Sequence, residues 1–259
     1  MRAGDALVLI LIAASALLVV FDSASGASAS TWIGDNLYAT LSPVGTFIGW
    51  LGLILSPLLI LPLLAGFMGQ FATLPGVIDK FFRRLIAILD AISTTIGDAA
   101  RWLALGLVIV TASVVIQRYV FGFASTKLQE SVIYLHALLF LLSAGSTLLA
   151  NGHVRVDIVY AKMNERGKAW TDLIGTYLAL IPMALLILWV STPYIQASWR
   201  ILERSRESDG LPLVFILKTA IPVFAILIII QGLAMSMRAA LTISGKDAPG
   251  HPVLEKREL

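Results

Sequence analysis

The 259-residue chain contains no cysteine. Disulfides, thiolate metal sites, iron–sulfur clusters and thiol catalysis are excluded together, and the redox compartment cannot be read. Histidine is almost as scarce. His136, His153 and His251 are the full set, and none stands in the His-xxx-His or His-Glu-xx-His spacing of a metal site. There is no glycine-rich phosphate cradle and no nucleophile elbow. Charge is thin too, at 14% of residues. These absences argue against an enzyme, and no cofactor is expected. Nucleic-acid binding is not expected either, because the net charge of +3 belongs to a membrane chain whose basic residues record topology.

What is abundant is apolar surface. Hydrophobic residues make up 58% of the chain and the mean hydropathy is +0.88, more than one soluble core could hide. The chain reads as an all-α integral membrane protein. A crossing helix needs about 20 mostly apolar residues, and four runs qualify clearly: Ala100 to Val120, Ser131 to Ala150, Leu173 to Trp199, and Thr219 to Met237. Pro182 is expected to kink the third run and Pro193 to end it. Trp189 and Trp199 suit an interfacial aromatic belt.

Two further crossings are expected ahead of these. Ala6 to Phe21 is apolar, follows Arg2 and runs into a stretch of small residues, so it reads as a retained anchor or as a cleaved signal. Asn36 to Ile78 carries no charge but is interrupted by Pro43, Pro57, Pro62 and several glycines. We read one crossing there, from about Val44 to Met68. The next segment differs in kind: Ile78, Phe81, Phe82, Leu85, Leu89, Ile92 and Ile96 recur at spacings of three and four, with Asp79, Lys80, Arg83, Arg84, Asp90 and Ser93 between them. This pattern predicts an amphipathic interfacial helix, its stripe in the acyl boundary of phospholipid or packed on a partner.

The expected organisation is therefore an N-terminal extension with two membrane helices (1–70), the amphipathic helix (71–98), a four-helix core (99–240) and a cytoplasmic tail (241–259). With six crossings and the N-terminus inside, inside segments hold 13 of the 19 Lys and Arg residues, so both termini are expected in the cytoplasm.

Ionisable residues within spans are functional candidates. His136 is the one near mid-span, with Gln231 and Gln117 as polar neighbours in other spans. A neutral imidazole hydrogen-bonded across the bundle is favoured over a proton relay. Glu130 opens the second core span, where Thr126 as N-cap and Gln129 would form a capping box. The competing reading makes Glu130 a salt-bridge anchor for a partner subunit. The polar segment Asn151-Gly152-His153-Val154-Arg155-Val156-Asp157 marks where that span leaves lipid. Its His153, Arg155 and Asp157 are read as intrachain anchors ahead of ligand contacts.

Arg118-Tyr119-Val120-Phe121-Gly122, then Gln129-Glu130, then Gly152-His153-Val154-Arg155-Val156-Asp157, with Gly210-Leu211-Pro212, Leu217-Lys218 and Ile221-Pro222 further on, resemble the small membrane subunit, the Q type (DctQ-like), of tripartite ATP-independent periplasmic (TRAP) transporters. The resemblance covers Ala99 to about Ala240. Two departures are present: Lys127 and Gln129 stand where the family often has Trp and a first Glu, and the segment before Ala99 exceeds the usual small subunit. The resemblance implies a non-catalytic scaffold subunit in the bacterial inner membrane. Its partners would be a large elevator-type membrane subunit, which holds the substrate and sodium sites, and a periplasmic binding protein that delivers a small organic anion, commonly a carboxylate. Arg118, Glu130, His136, His153, Arg155 and Asp157 are then structural or subunit-anchoring candidates, and the outer loops near Glu130 and Arg200 to Asp209 would help receive the binding protein. The alternative is a stand-alone small channel or proton-coupled carrier built on His136.

Reporter fusions after Ile33 and after Lys80 test the count of crossings. The six-crossing reading predicts opposite sides of the membrane, and two reporters on one side would contradict it.

Overall fold

In a computed structural model, residues 2–24, 28–153 and 158–250 are described. Among them there is no strand, and six helical stretches are long and apolar enough to cross a membrane. The chain is an all-α membrane protein. Its helices are α1 (Ala3–Ala24), α2 (Ser28–Leu55), α3 (Leu61–Phe71), α4 (Gly76–Val120), α5 (Thr126–Leu149), α6 (Glu165–Gly175), α7 (Ile181–Arg200) and α8 (Val214–Ile243). A tight 3-10 turn, Ser56–Leu59, separates α2 from α3, where Pro57 cannot donate a helical hydrogen bond.

The amphipathic segment and the first core span form one helix. At 45 residues, α4 is about 67 Å long, more than twice the hydrocarbon thickness of about 30 Å. Its C-terminal half pairs with α5, and its N-terminal half runs along α8. Phe82, Ile86 and Leu89 from the N-terminal half are buried against Leu233, Met237 and Leu241 of α8. Val77, Phe81 and Ile88 remain exposed on another face, next to exposed Lys80 and Arg84.

The hub is α8, which touches α3, α4, α5, α6 and α7. Helix association in lipid depends on close packing rather than on a difference in apolarity. Ala225, Ala234 and Ala240 are fully buried along α8 and let its neighbours come near. Pro182, where a kink is expected, has no N–H to offer Leu178, and the preceding residues Thr176–Leu180 adopt a wider π turn that joins α6 to α7. Pro193 does not end the helix, which continues to Arg200. Pro193 lies more than three turns into α7, where a membrane helix tolerates one lost hydrogen bond.

The extension is hung on this frame at two places. Gly4 lies so close to α4 that a Cβ there would stand 2.5 Å from the Thr95 carbonyl oxygen and 2.6 Å from the Ala99 nitrogen. Around it Arg2 pairs with Asp98 at 2.9 Å, Arg101 with Asp5 at 2.5 Å, and the Trp102 indole donates to Asp5 at 3.0 Å. Beyond this hook α1 is almost entirely exposed. Further along, α3 is held to α6 by Trp170, which donates to Gln70 and packs edge-on against Phe67 at 5.4 Å.

Candidate functional site

Asp90 and Ser93 belong to the apolar stripe rather than to the polar face assigned to them by periodicity. Phe82, Ile86, Asp90, Ser93 and Ala100 are all buried on one side of α4, and this side meets α8. Arg238 of α8 donates both terminal nitrogens to the Asp90 carboxylate, one at 3.3 Å and the other in a closer contact. Gln231, two turns earlier on α8, donates to the same carboxylate at 3.4 Å and accepts from the Ser93 hydroxyl at 2.9 Å. The remaining Arg238 nitrogen, Nε, donates to the Pro249 carbonyl at 3.1 Å. Side-chain exposures of 7% for Arg238 and 8% for Asp90 make this a desolvated, bidentate ion pair with its spare donors used. Around the N-terminal end of α4, Arg83 and Lys246 both pair with Asp79, and Arg83 also donates to the Asp247 carbonyl.

At the opposite end Glu130 closes the α7–α8 loop. One oxygen of its carboxylate accepts from the Ser205 hydroxyl, and the other accepts from the Leu211 amide at 2.6 Å. Gly210 sits against it, since a Cβ there would come within 2.8 Å of Glu130 Oε1 and closer still to Ser205. The carboxylate is thus an intrachain latch. The helix cap lies one residue earlier than expected: Ser125 is the N-cap and accepts from the Leu128 amide, so Thr126 and Gln129 do not form a capping box. Beside the latch Lys127 pairs with Asp209 at 2.7 Å and Lys218 with Glu203 at 2.5 Å. Lys218 also lies 4.0 Å from the centre of the Tyr194 ring. The hydrogen bond from Lys218 holds the Glu203 carboxyl below the usual carboxylate range.

The other candidates are dispersed. Arg118 is exposed in the last turn of α4. His136 is exposed on α5, in line with Ile133 and Phe140, so the expected hydrogen bond across the bundle is not made: its ring points away from α8. Gln231 is committed to Asp90 and Ser93, and the three polar groups of the carrier reading do not converge. His153 is exposed at one end of a cleft of about 870 Å³ between α5, α7 and α8, whose walls include Phe140, Ala144, Leu180 and Phe224. Arg155 and Asp157 lie outside the described residues. No group of three His, Asp or Glu side chains gathers as a metal site among the described residues.

The sequence does not pair Asp90 with Arg238, because periodicity puts Asp90 on the polar face of the amphipathic segment and Arg238 falls one residue past the run ending at Met237. A signal was nevertheless available in the spacing 82, 86, 90, 93, which places a carboxylate inside the apolar stripe. Ser205 and Leu211 offered no such signal, since nothing periodic links a loop backbone amide to a helix 81 residues earlier.

The buried charges of this multi-pass chain neutralise each other. The family model for the DctQ component of tripartite ATP-independent periplasmic transporters matches residues 107–242, just over half of the chain. The chain belongs to this family, and is the small subunit of a TRAP transporter in the inner membrane. No curated protein and no solved structure matches it.

Removing one member of the buried pair should cost about 3–5 kcal/mol, whereas replacing both by apolar residues should restore much of it. Asp90→Leu and Arg238→Met singly, against the double variant, checks this by thermal unfolding in detergent; equal losses in all three would contradict it. The Glu203 pair has its own pH signature. A carboxyl depressed in the folded state stabilises above its ordinary value, roughly 4.3, and this support is lost as pH falls through the lower folded value. Acidification from pH 6 to 3 should lower the amide protection factors at 201–213 in the parent chain, each rate taken relative to that of an unstructured peptide at the same pH, and Glu203→Gln should show the lowered protection already at pH 6.

Proposed function

We propose that this subunit is the static brace of a sodium-coupled TRAP transporter that imports small organic anions, chiefly carboxylates, across the bacterial inner membrane. The large elevator-type subunit carries substrate and sodium, and a periplasmic binding protein supplies the substrate. Both termini of the brace face the cytoplasm. The observation that carries this reading is the Asp90–Arg238–Gln231–Ser93 network. A moving ion path needs groups that can release and rebind partners, whereas these are desolvated and mutually satisfied.

The exposed face of inner α4 supports the same role. Val77, Phe81 and Ile88 suit the acyl boundary, with Lys80 and Arg84 able to reach phospholipid phosphates and set the height of the helix. A brace works by holding its partner at a fixed depth and tilt, and α4 joins a crossing half and an inner half without a break.

Reconstituted uptake tests the proposal. Sodium-dependent transport should require this chain, the large subunit and the binding protein together, and His136→Ala should leave the rate within about twofold, because an exposed side chain away from the packing is close to neutral. Transport by this chain alone, or loss of transport in an intact His136→Ala complex, would contradict it.

A further inference from the structure

The α7–α8 loop pairs most of its acids internally while its arginines project. Glu203 is paired with Lys218, Asp209 with Lys127, and Glu130 accepts from Ser205 and Leu211. Arg200, Arg204 and Arg206 are all exposed, and none makes a hydrogen bond or salt bridge among the described residues. Arg206 exerts only a minor pull on Glu203, which Lys218 already holds. Glu207 is the one exposed acid of the loop outside a salt bridge, so the displayed surface is net cationic.

The backbone that carries these arginines is fixed. Glu203 N donates to the Ser198 carbonyl at 3.0 Å, Ser205 N to Leu211 at 3.1 Å, and Gly210 N to Glu207 at 3.1 Å. Leu202 holds a left-handed φ of 46°, uncommon for a branched side chain and retained where surrounding bonds over-determine the turn. A cation that only has to meet lipid phosphate gains little from such order, because headgroups move to meet it. A locked spacing favours a partner whose own charges are fixed.

We propose that Arg200, Arg204 and Arg206 form a preorganised docking patch for an acidic surface on the periplasmic substrate-binding protein. This rests on the scaffold reading above, and on the α7–α8 loop facing outward in it. Exposed charges of this kind act mainly on encounter, through a long-range attraction that salt screens. The patch therefore sets how much binding protein is needed, and not how fast a docked complex transports.

The test uses proteoliposomes holding this chain with the large subunit, titrated with purified substrate-loaded binding protein at low and high ionic strength. Copurification of the wild-type chain with the large subunit is checked first, since its failure would sink the scaffold reading itself. With that complex in hand, a triple Arg200→Glu, Arg204→Glu, Arg206→Glu variant should raise the half-saturating binding-protein concentration about tenfold or more at low salt. Its rate at saturation should be unchanged, and its salt dependence flattened. The triple Arg→Lys variant, which keeps charge and is the milder change for folding, should stay within about threefold of the parent. An unchanged half-saturation in the glutamate variant would overturn the proposal. So would a shift that follows the anionic-lipid content of the vesicles and is indifferent to the binding protein.

Discussion

The ion pair between Asp90 and Arg238 is the constraint on which the rest of the subunit hangs. Two charges removed from solvent have few tolerable arrangements, because small displacements remove attraction while the desolvation cost persists. The pair therefore fixes rotation and register of α4 against α8, and Gln231 and Ser93 reduce the freedom further by using the remaining carboxylate and amide positions. Since α8 touches five other helices and α4 carries the hook for α1, this one contact sets the placement of elements at both ends of the chain.

The end of the bundle that carries Glu130 solves a different problem with weaker bonds. A loop of thirteen residues between two membrane helices, 201–213, would ordinarily be mobile. Glu130 reaches across from α5 to satisfy one hydroxyl and one backbone amide, so the loop is closed onto a third helix as well as onto its own stems, where Glu203 bonds to Ser198 and Lys218. Of the ion pairs beside it, Lys127–Asp209 is exposed and individually modest, and Lys218–Glu203 is part-buried. Their larger effect is on what is left over, since they neutralise acids that would otherwise cancel the arginines. A scaffold can in this way be inert in its membrane interior and selective at its rim.

Much of the helical frame was legible in the sequence, because uncharged runs of about 20 residues have few other uses. Boundaries were less so: the run from Thr219 to Met237 belongs to a helix from Val214 to Ile243, and that from Leu173 to Trp199 to a stretch from Glu165 to Arg200. Hydropathy registers the part of a helix that lipid touches, and these helices continue through polar turns beyond it. The same cause hides Arg238, which falls one residue past the run from Thr219 to Met237, whereas Asp90 is hidden by a periodicity that assigns it to a polar face. Pro182 was recognised as a disturbance, but whether the chain would kink or widen depends on packing around Thr176, which is buried. His136 was placed inward because polar groups in spans usually are. Its outward position follows from α5 using its opposite face, with Ala144 and Gly145, against α8.

A brace held by a desolvated ion pair should not change shape while its partner moves. The absence of native cysteine makes the measurement direct, since paired spin labels on α4 near Ala87 and on α8 near Thr242 would be unique in this chain. In the reconstituted complex, double electron–electron resonance should return one distance, the same within about 2 Å with and without sodium, substrate and binding protein. Shear between packed helices in a conformational change is of about that size or larger. A second population, or a shift of several ångströms on adding substrate and sodium, would mean that α4 and α8 move with the transport cycle, and would contradict a static scaffold.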